Sequence, residues 1–319
     1  MKKRIAALAL GVLLIGSLFG CAQKPAEDKM QIICTVFPQY DWVRAVLGEQ
    51  ADRAELTLLM DNGADLHNYQ ATAADLLQIS SCDLFVYIGG ESDEWVPGAL
   101  RDPKNTGRRE IRLLDVVEAR EEEEIPGAEE AHEHDHAEEG TVYDEHIWLS
   151  LRNARQAVAA IAEALAQLDP EYAGTYRANA ESYGEQLSAL DARYTQAVES
   201  GVRKTLLFAD RFPFRYLADD YGLTYYAAFS GCSAETEASF GTLAFLAGKV
   251  DELSLPVVLV IETSDQSVAR SVIANTQAKN QEILVMDSLQ SVTLSRVNAG
   301  ETYLGIMEQN CSVLEKALH

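Results

Sequence analysis

At 319 residues and a formal net charge of −24, the chain is long for a single hydrophobic core and strongly acidic. That charge disfavours nucleic acid and anionic membrane surfaces as partners and favours cations. Apolar residues make up 47% of the sequence, enough for two cores.

Residues 1–21 read as a lipoprotein signal segment. Lys2, Lys3 and Arg4 precede an apolar run that is short for a membrane span, and it ends in Leu18-Phe19-Gly20-Cys21. A small residue followed by Cys resembles a bacterial lipobox, although Phe19 is bulkier than that pattern usually carries. Cys21 is then the acylated first residue of the mature chain, anchored in the bilayer on the extracytoplasmic face. Residues 22–30 are polar and serve as a tether.

From residue 31 the pattern alternates. Strand-like runs at 31–36, 56–60, 84–88 and 111–117 are separated by helical spacing at 39–48 and 72–79. Residues 118–141 form an acidic, low-complexity loop bearing His132, His134 and His136 and broken by Pro126-Gly127. Ile147-Trp148-Leu149 follows, with His146 at the edge of what reads as a buried strand. Residues 153–168 show helical periodicity. Residues 171–200 place Tyr172, Tyr176, Tyr183, Leu187, Leu190, Tyr194 and Val198 on one stripe of a long helix that ends at Gly201. The alternation then resumes. Strands are expected at 205–209, 224–228, 257–261 and 283–286, and helices at 214–221, 239–253, 267–276 and 302–318.

This order predicts an α/β protein of two lobes joined by a long rigid helix, with a ligand cleft between them. The boundaries are 31–168 for the N-terminal lobe, 169–201 for the linker helix and 202–319 for the C-terminal lobe.

His67 and His146 each stand where a loop meets an element, near carboxylates. One such residue alone fits a structural histidine equally well; two in one lobe favour a metal, and imidazole suits Zn²⁺. Asp210, Glu262 and Asp287 each follow an apolar strand, where an Asp also serves as a helix cap. The cysteines Cys34, Cys82, Cys232 and Cys311 have no CxxC spacing, which excludes a zinc-ribbon or thioredoxin motif.

Several segments together resemble the zinc/manganese solute-binding lipoproteins of bacterial ABC transporters. They are the lipobox, Thr35-Val36-Phe37-Pro38-Gln39-Tyr40-Asp41-Trp42, Gly63-Ala64-Asp65-Leu66-His67-Asn68-Tyr69, and Asp83-Leu84-Phe85-Val86-Tyr87-Ile88-Gly89-Gly90. The His-bearing loop leads into Asp144-Glu145-His146-Ile147-Trp148-Leu149-Ser150, and Tyr221-Gly222-Leu223 lies beyond the long helix. The resemblance implies one metal ion between the lobes, His67 and His146 as first-lobe ligands, and an acidic ligand at Asp287. Where the family places a second-lobe His or Glu, this chain has Arg211, which has no lone pair to give. Asp210 is the neighbouring substitute, with Cys232, Glu262 or water as alternatives. A His-rich loop goes with zinc rather than manganese in this family, so Zn²⁺ is the expected ligand, with Mn²⁺ the alternative, and His132, His134 and His136 are accessory collectors. The expected partner is a membrane permease, docked by a monomer. A metal-scavenging, adhesin-type surface lipoprotein is the alternative. The chain carries no HxHxD or GxSxG, and its one HExxH match, His132-Glu133-His134-Asp135-His136, falls inside the low-complexity acidic loop, so a zinc hydrolase is not expected.

Overall fold

The computed structural model describes residues 29–63, 66–123, 125–126, 142–231 and 237–319. The signal segment with Cys21, most of the tether, the loop residues His132, His134 and His136, and Cys232 lie outside them. Among the described residues no helix is long and apolar enough to cross a membrane.

The first lobe holds β1 (Met30–Cys34), α1 (Phe37–Leu47), β2 (Ala54–Leu58), α2 (Ala73–Ser81), β3 (Leu84–Tyr87), α3 (Val96–Leu100) and β4 (Arg109–Arg112). Its sheet is parallel throughout, in the order β2-β1-β3-β4. Two helices follow, α4 (Leu151–Leu168) and α5 (Ala173–Ser200). The second lobe holds β5 (Thr205–Phe212), α6 (Arg215–Tyr221), β6 (Thr224–Ser230), α7 (Phe240–Leu253), β7 (Val257–Ile261), α8 (Ser267–Asn275), β8 (Glu282–Met286), α9 (Leu294–Asn298) and α10 (Tyr303–Leu318). Its sheet repeats the first, in the order β6-β5-β7-β8 and again parallel.

Helices cover both faces of such a sheet, so its inner strands carry continuous apolar runs. All five residues of β7, Val257-Val258-Leu259-Val260-Ile261, are buried. Each sheet reverses its strand order once, between β1 and β3 and between β5 and β7, and ligands of open α/β sheets bind beyond the strand ends at such points.

The long helix holds the expected stripe except Tyr172, which lies in a 3₁₀ turn, Pro170–Tyr172, ahead of it. At 28 residues, α5 is about 42 Å long, and Tyr176, Tyr183, Leu187, Leu190, Tyr194 and Val198 are all buried. It is tied to both lobes. Asn179 Nδ2 donates to Val46 O at 2.9 Å in the first lobe, and Tyr194 OH donates to Met307 O at 2.7 Å in the second. Where α4 turns into α5, Asp169 accepts from Arg53 Nε at 2.6 Å and from Tyr176 OH at 2.8 Å.

Two expectations change. Ile147-Trp148-Leu149 is a 3₁₀ turn rather than a strand. Ser150 already caps α4, accepting from Asn153 N at 3.1 Å, and the segment finds no strand to pair with. Residues 111–117 form a strand only through Arg112, after which Leu113–Asp115 is another 3₁₀ turn. Its partner β3 stops at Tyr87, and Gly89 turns the chain away at φ +99°. The short helices α3 and α9 had no periodicity long enough to mark them.

Asp169→Ala removes the acceptor shared by Arg53 and Tyr176. We expect it to lower stability by about 2 kcal/mol, read as a lower urea midpoint at unchanged slope. A midpoint equal to wild type would show that the α4–α5 corner does not depend on this carboxylate.

Candidate metal centre

The loop after β2 turns at Gly63, φ +76°, and Leu294 N of the second lobe donates to Asp61 O at 3.2 Å. The loop then forms a 3₁₀ turn, Leu66–Asn68, whose Leu66 is buried in the core. This presents His67. On the far side, His146 opens the turn that leads into α4 and is completely buried. The two imidazoles meet, with ring centroids 5.5 Å apart.

Each ring is fixed at Nδ1. Asp144 Oδ1 accepts from both the backbone N–H of His146 at 2.8 Å and its ring Nδ1 at 3.0 Å. A carboxylate only accepts, so the proton is assigned to Nδ1 and the lone pair to Nε2. His146 Nε2 is buried and makes no hydrogen bond among the described residues. A buried ring nitrogen with its lone pair exposed to nothing is what a metal ligand requires. His67 Nδ1 lies 2.9 Å from Ser92 Oγ. Ser92 in turn donates its backbone N–H to Glu145 Oε1 at 2.7 Å and its hydroxyl to Glu145 Oε2 at 2.5 Å.

The electrostatics follow from burial. Burial alone would lower the His146 imidazole, but the Asp144 carboxylate, aided by Glu145, overcomes it and raises the pKa above the ordinary 6.5. Burial pushes the Glu145 carboxyl up to about 7, against the opposing hydrogen bonds from Ser92.

The second lobe closes over this pair with backbone. A Cβ on Gly231 would sit 3.1 Å from His146 Cε1 and 2.9 Å from Phe212 O, so only glycine allows β6 to end there. The second-lobe acids are engaged locally. Asp210 lies within β5, which runs on to Phe212, rather than after the strand as expected; its Oδ1 accepts from Arg211 N at 2.8 Å, beside a register irregularity in β5. Asp287 accepts from Arg296 Nη2 at 2.7 Å and from Leu289 N at 2.8 Å. Burial and the nearby Glu262 carboxylate raise its pKa. Glu262 accepts from Ser288 N, Ser288 Oγ and Ser291 Oγ at 2.8–2.9 Å. Among the described residues no group of three or more His, Cys, Asp or Glu side chains converges as a metal cage. The structure therefore brings His67 and His146 together and leaves Asp210, Glu262 and Asp287 with partners in their own lobe. Sequence reading missed Ser92. It lies 25 residues from His67, and its only signal is its place just after Gly89-Gly90, which follow β3.

The family model described as "ZnuA: Zinc-uptake complex component A periplasmic" matches residues 32–317. The chain belongs to this family. The zinc-binding lipoprotein AdcA of Streptococcus pneumoniae TIGR4 is 31% identical over 329 residues, covering 99% of this chain but 61% of its own length. This chain thus spans about three fifths of that relative. The high-affinity zinc uptake system protein ZnuA of Bacillus subtilis is 28% identical, covering 91% of this chain and 88% of its own. Among solved structures, the Zn(II)-bound ZnuA-like domain of S. pneumoniae AdcA superposes with a TM-score of 0.72 at 27% identity, covering 91% of this chain and 99% of that one. The periplasmic zinc-binding protein TroA of Treponema pallidum, at 22% identity and a TM-score of 0.69, shares the fold. A ZnuA-family chain of this kind has two parallel-sheet lobes spanned by one long helix.

Folding raises the pKa of His146. The folded protein holds this proton more tightly than the unfolded chain. It therefore gains stability below pH 6.5, and loses it as pH rises through the raised value. Asp144→Asn keeps an acceptor oxygen but removes the charge, so burial gains weight and the His146 pKa should fall. An NMR titration of the metal-free protein checks this, and an unchanged pKa would contradict the role given to Asp144.

Proposed function

We propose that this chain captures one Zn²⁺ ion outside the cytoplasmic membrane and passes it to the permease of an ABC transporter. It acts as a monomer tethered through acylated Cys21. The observation that carries the reading is the buried His146 Nε2, unsatisfied among the described residues and set beside His67. Two imidazoles favour zinc, whereas Mn²⁺ suits sites built of oxygen ligands. The zinc named for the streptococcal and Bacillus relatives agrees with that preference.

The chain's own residues do three things. Asp144 holds His146 with Nε2 turned inward. The buried turn 147–149 keeps that ring in place. The second lobe supplies the remaining ligands from Asp287 and Asp210, with Cys232, Glu262 or water as substitutes. Asp287 is paired with Arg296 at 2.7 Å, and an ion would compete with that guanidinium for its carboxylate. Such a site binds its cargo and releases it unchanged. His132, His134 and His136 collect zinc weakly and raise its local concentration.

A competitive titration of Zn²⁺ against Mn²⁺, on the soluble chain beginning at Ala22, tests this reading. We expect one tight zinc equivalent that survives deletion of residues 121–140. His67→Ala and His146→Ala should each weaken it by at least about 100-fold, the loss of one of few ligands. Tight binding that left with the loop and ignored both substitutions would overturn it.

A further inference from the structure

His67 is backed by Ser92 and Glu145. Its Nδ1 faces a serine hydroxyl, and a hydroxyl can either give or take a hydrogen bond. Alone, Ser92 would leave the His67 tautomer open. Glu145 closes the choice. Its two oxygens are both committed to Ser92, Oε1 to the backbone N–H and Oε2 to the hydroxyl. The single hydroxyl proton therefore points at the carboxylate. Ser92 Oγ turns its lone pair to His67, so the imidazole must place its proton on Nδ1 and its lone pair on Nε2.

Glu145 is held there by space made for it. A Cβ on Gly90 would fall 2.1 Å from Glu145 Oε1. Gly90 has φ −91°, which any residue adopts, so glycine is needed here for room and not for conformation. Ser92 and Glu145 are both inside the first lobe, so this arrangement is independent of how the lobes are set.

We infer that Glu145 and Ser92 are positioning residues, a carboxylate–hydroxyl relay that fixes the His67 tautomer and so its metal-binding nitrogen. The inference deepens the proposed function and rests on His67 being a ligand. It also explains how two neighbouring histidines present the same nitrogen by different means. His146 has a carboxylate directly on Nδ1, while His67 has one through a serine. The chemistry of the relay makes a specific demand. In Glu145→Gln the amide oxygen must stay with the Ser92 N–H, which it alone can accept. The amide NH₂ then faces Ser92 Oγ and donates to it. The hydroxyl proton swings to His67 Nδ1, and the imidazole proton moves to Nε2.

The test is ¹⁵N-histidine NMR of the metal-free protein in mildly alkaline buffer, with zinc affinity measured in parallel. In the wild type, His67 should be the Nδ1–H tautomer. Glu145→Gln should convert it to Nε2–H, and Ser92→Ala should give a mixture. Zinc affinity should fall about 10–100-fold in both, as for the loss of other groups that orient a metal-bound histidine. Ser92→Thr, which keeps the hydroxyl, should restore both readings. His146, held by Asp144, should keep its tautomer throughout and serves as the internal reference for a folded site. A His67 tautomer that is Nε2–H in the wild type, or unmoved by Glu145→Gln, would overturn the relay. If instead His67→Ala left zinc binding intact, the ligand assignment would fail while the tautomer result still stood by itself.

Discussion

The indole of Trp148 is completely buried between the two lobes. Its Nε1 donates to Ser288 O of the second lobe at 2.8 Å, and its carbonyl accepts from Tyr303 OH at 2.5 Å. Tyr303 then donates its backbone N–H to Asp41 Oδ2 at 2.8 Å and stacks edge-on against Trp42. The chain thus crosses from lobe to lobe and back within four side chains. Truncating a buried indole costs about 3–5 kcal/mol, and here the loss would fall on both lobes at once. His146 stands two residues before Trp148, its ring edge-on to the indole. The position of His146, a ligand in the proposed site, is therefore set by the same contact that sets the lobes.

This arrangement argues against wide hinge motion. One core cluster runs through both lobes and the two long helices, and packed elements shift by small slides rather than by large rotations. Capture and release of an ion would then depend on local changes at the cleft. In the proposed function, transfer of Asp287 from Arg296 to the ion would be one such change, because it exchanges a single ion pair. The acidic loop is also rooted close by. Glu121 bridges Tyr143, Glu123 pairs with Arg215 at 3.0 Å, and the hydroxyl of Tyr216 accepts from Arg120 N and donates to Asp144 O, both at 2.9 Å. The stem of the loop therefore touches the residue that holds His146.

Much of this was legible from residue order. The strand runs were apolar and short, the long helix had a stripe of tyrosines and leucines, and His67 and His146 stood at element edges. What escaped reading depends on contacts between distant residues. The Ile147–Leu149 segment looks like a strand because its residues are buried, and burial alone does not say that Ser150 starts a helix beside it. Ser92 carries no motif and matters only because the fold brings β3's end against the His67 turn. For Asp287 the sequence shows an acid after a strand. It does not show that Arg296, nine residues on, takes the carboxylate.

In the proposed site His67 and His146 bind the ion together, each through Nε2. X-ray absorption at the zinc edge, on the loop-deleted protein loaded with one equivalent, reads this out. Two imidazole nitrogens are expected at about 2.0–2.1 Å, one of which disappears in His67→Ala. A shell of oxygen or sulfur with one imidazole or none would contradict it.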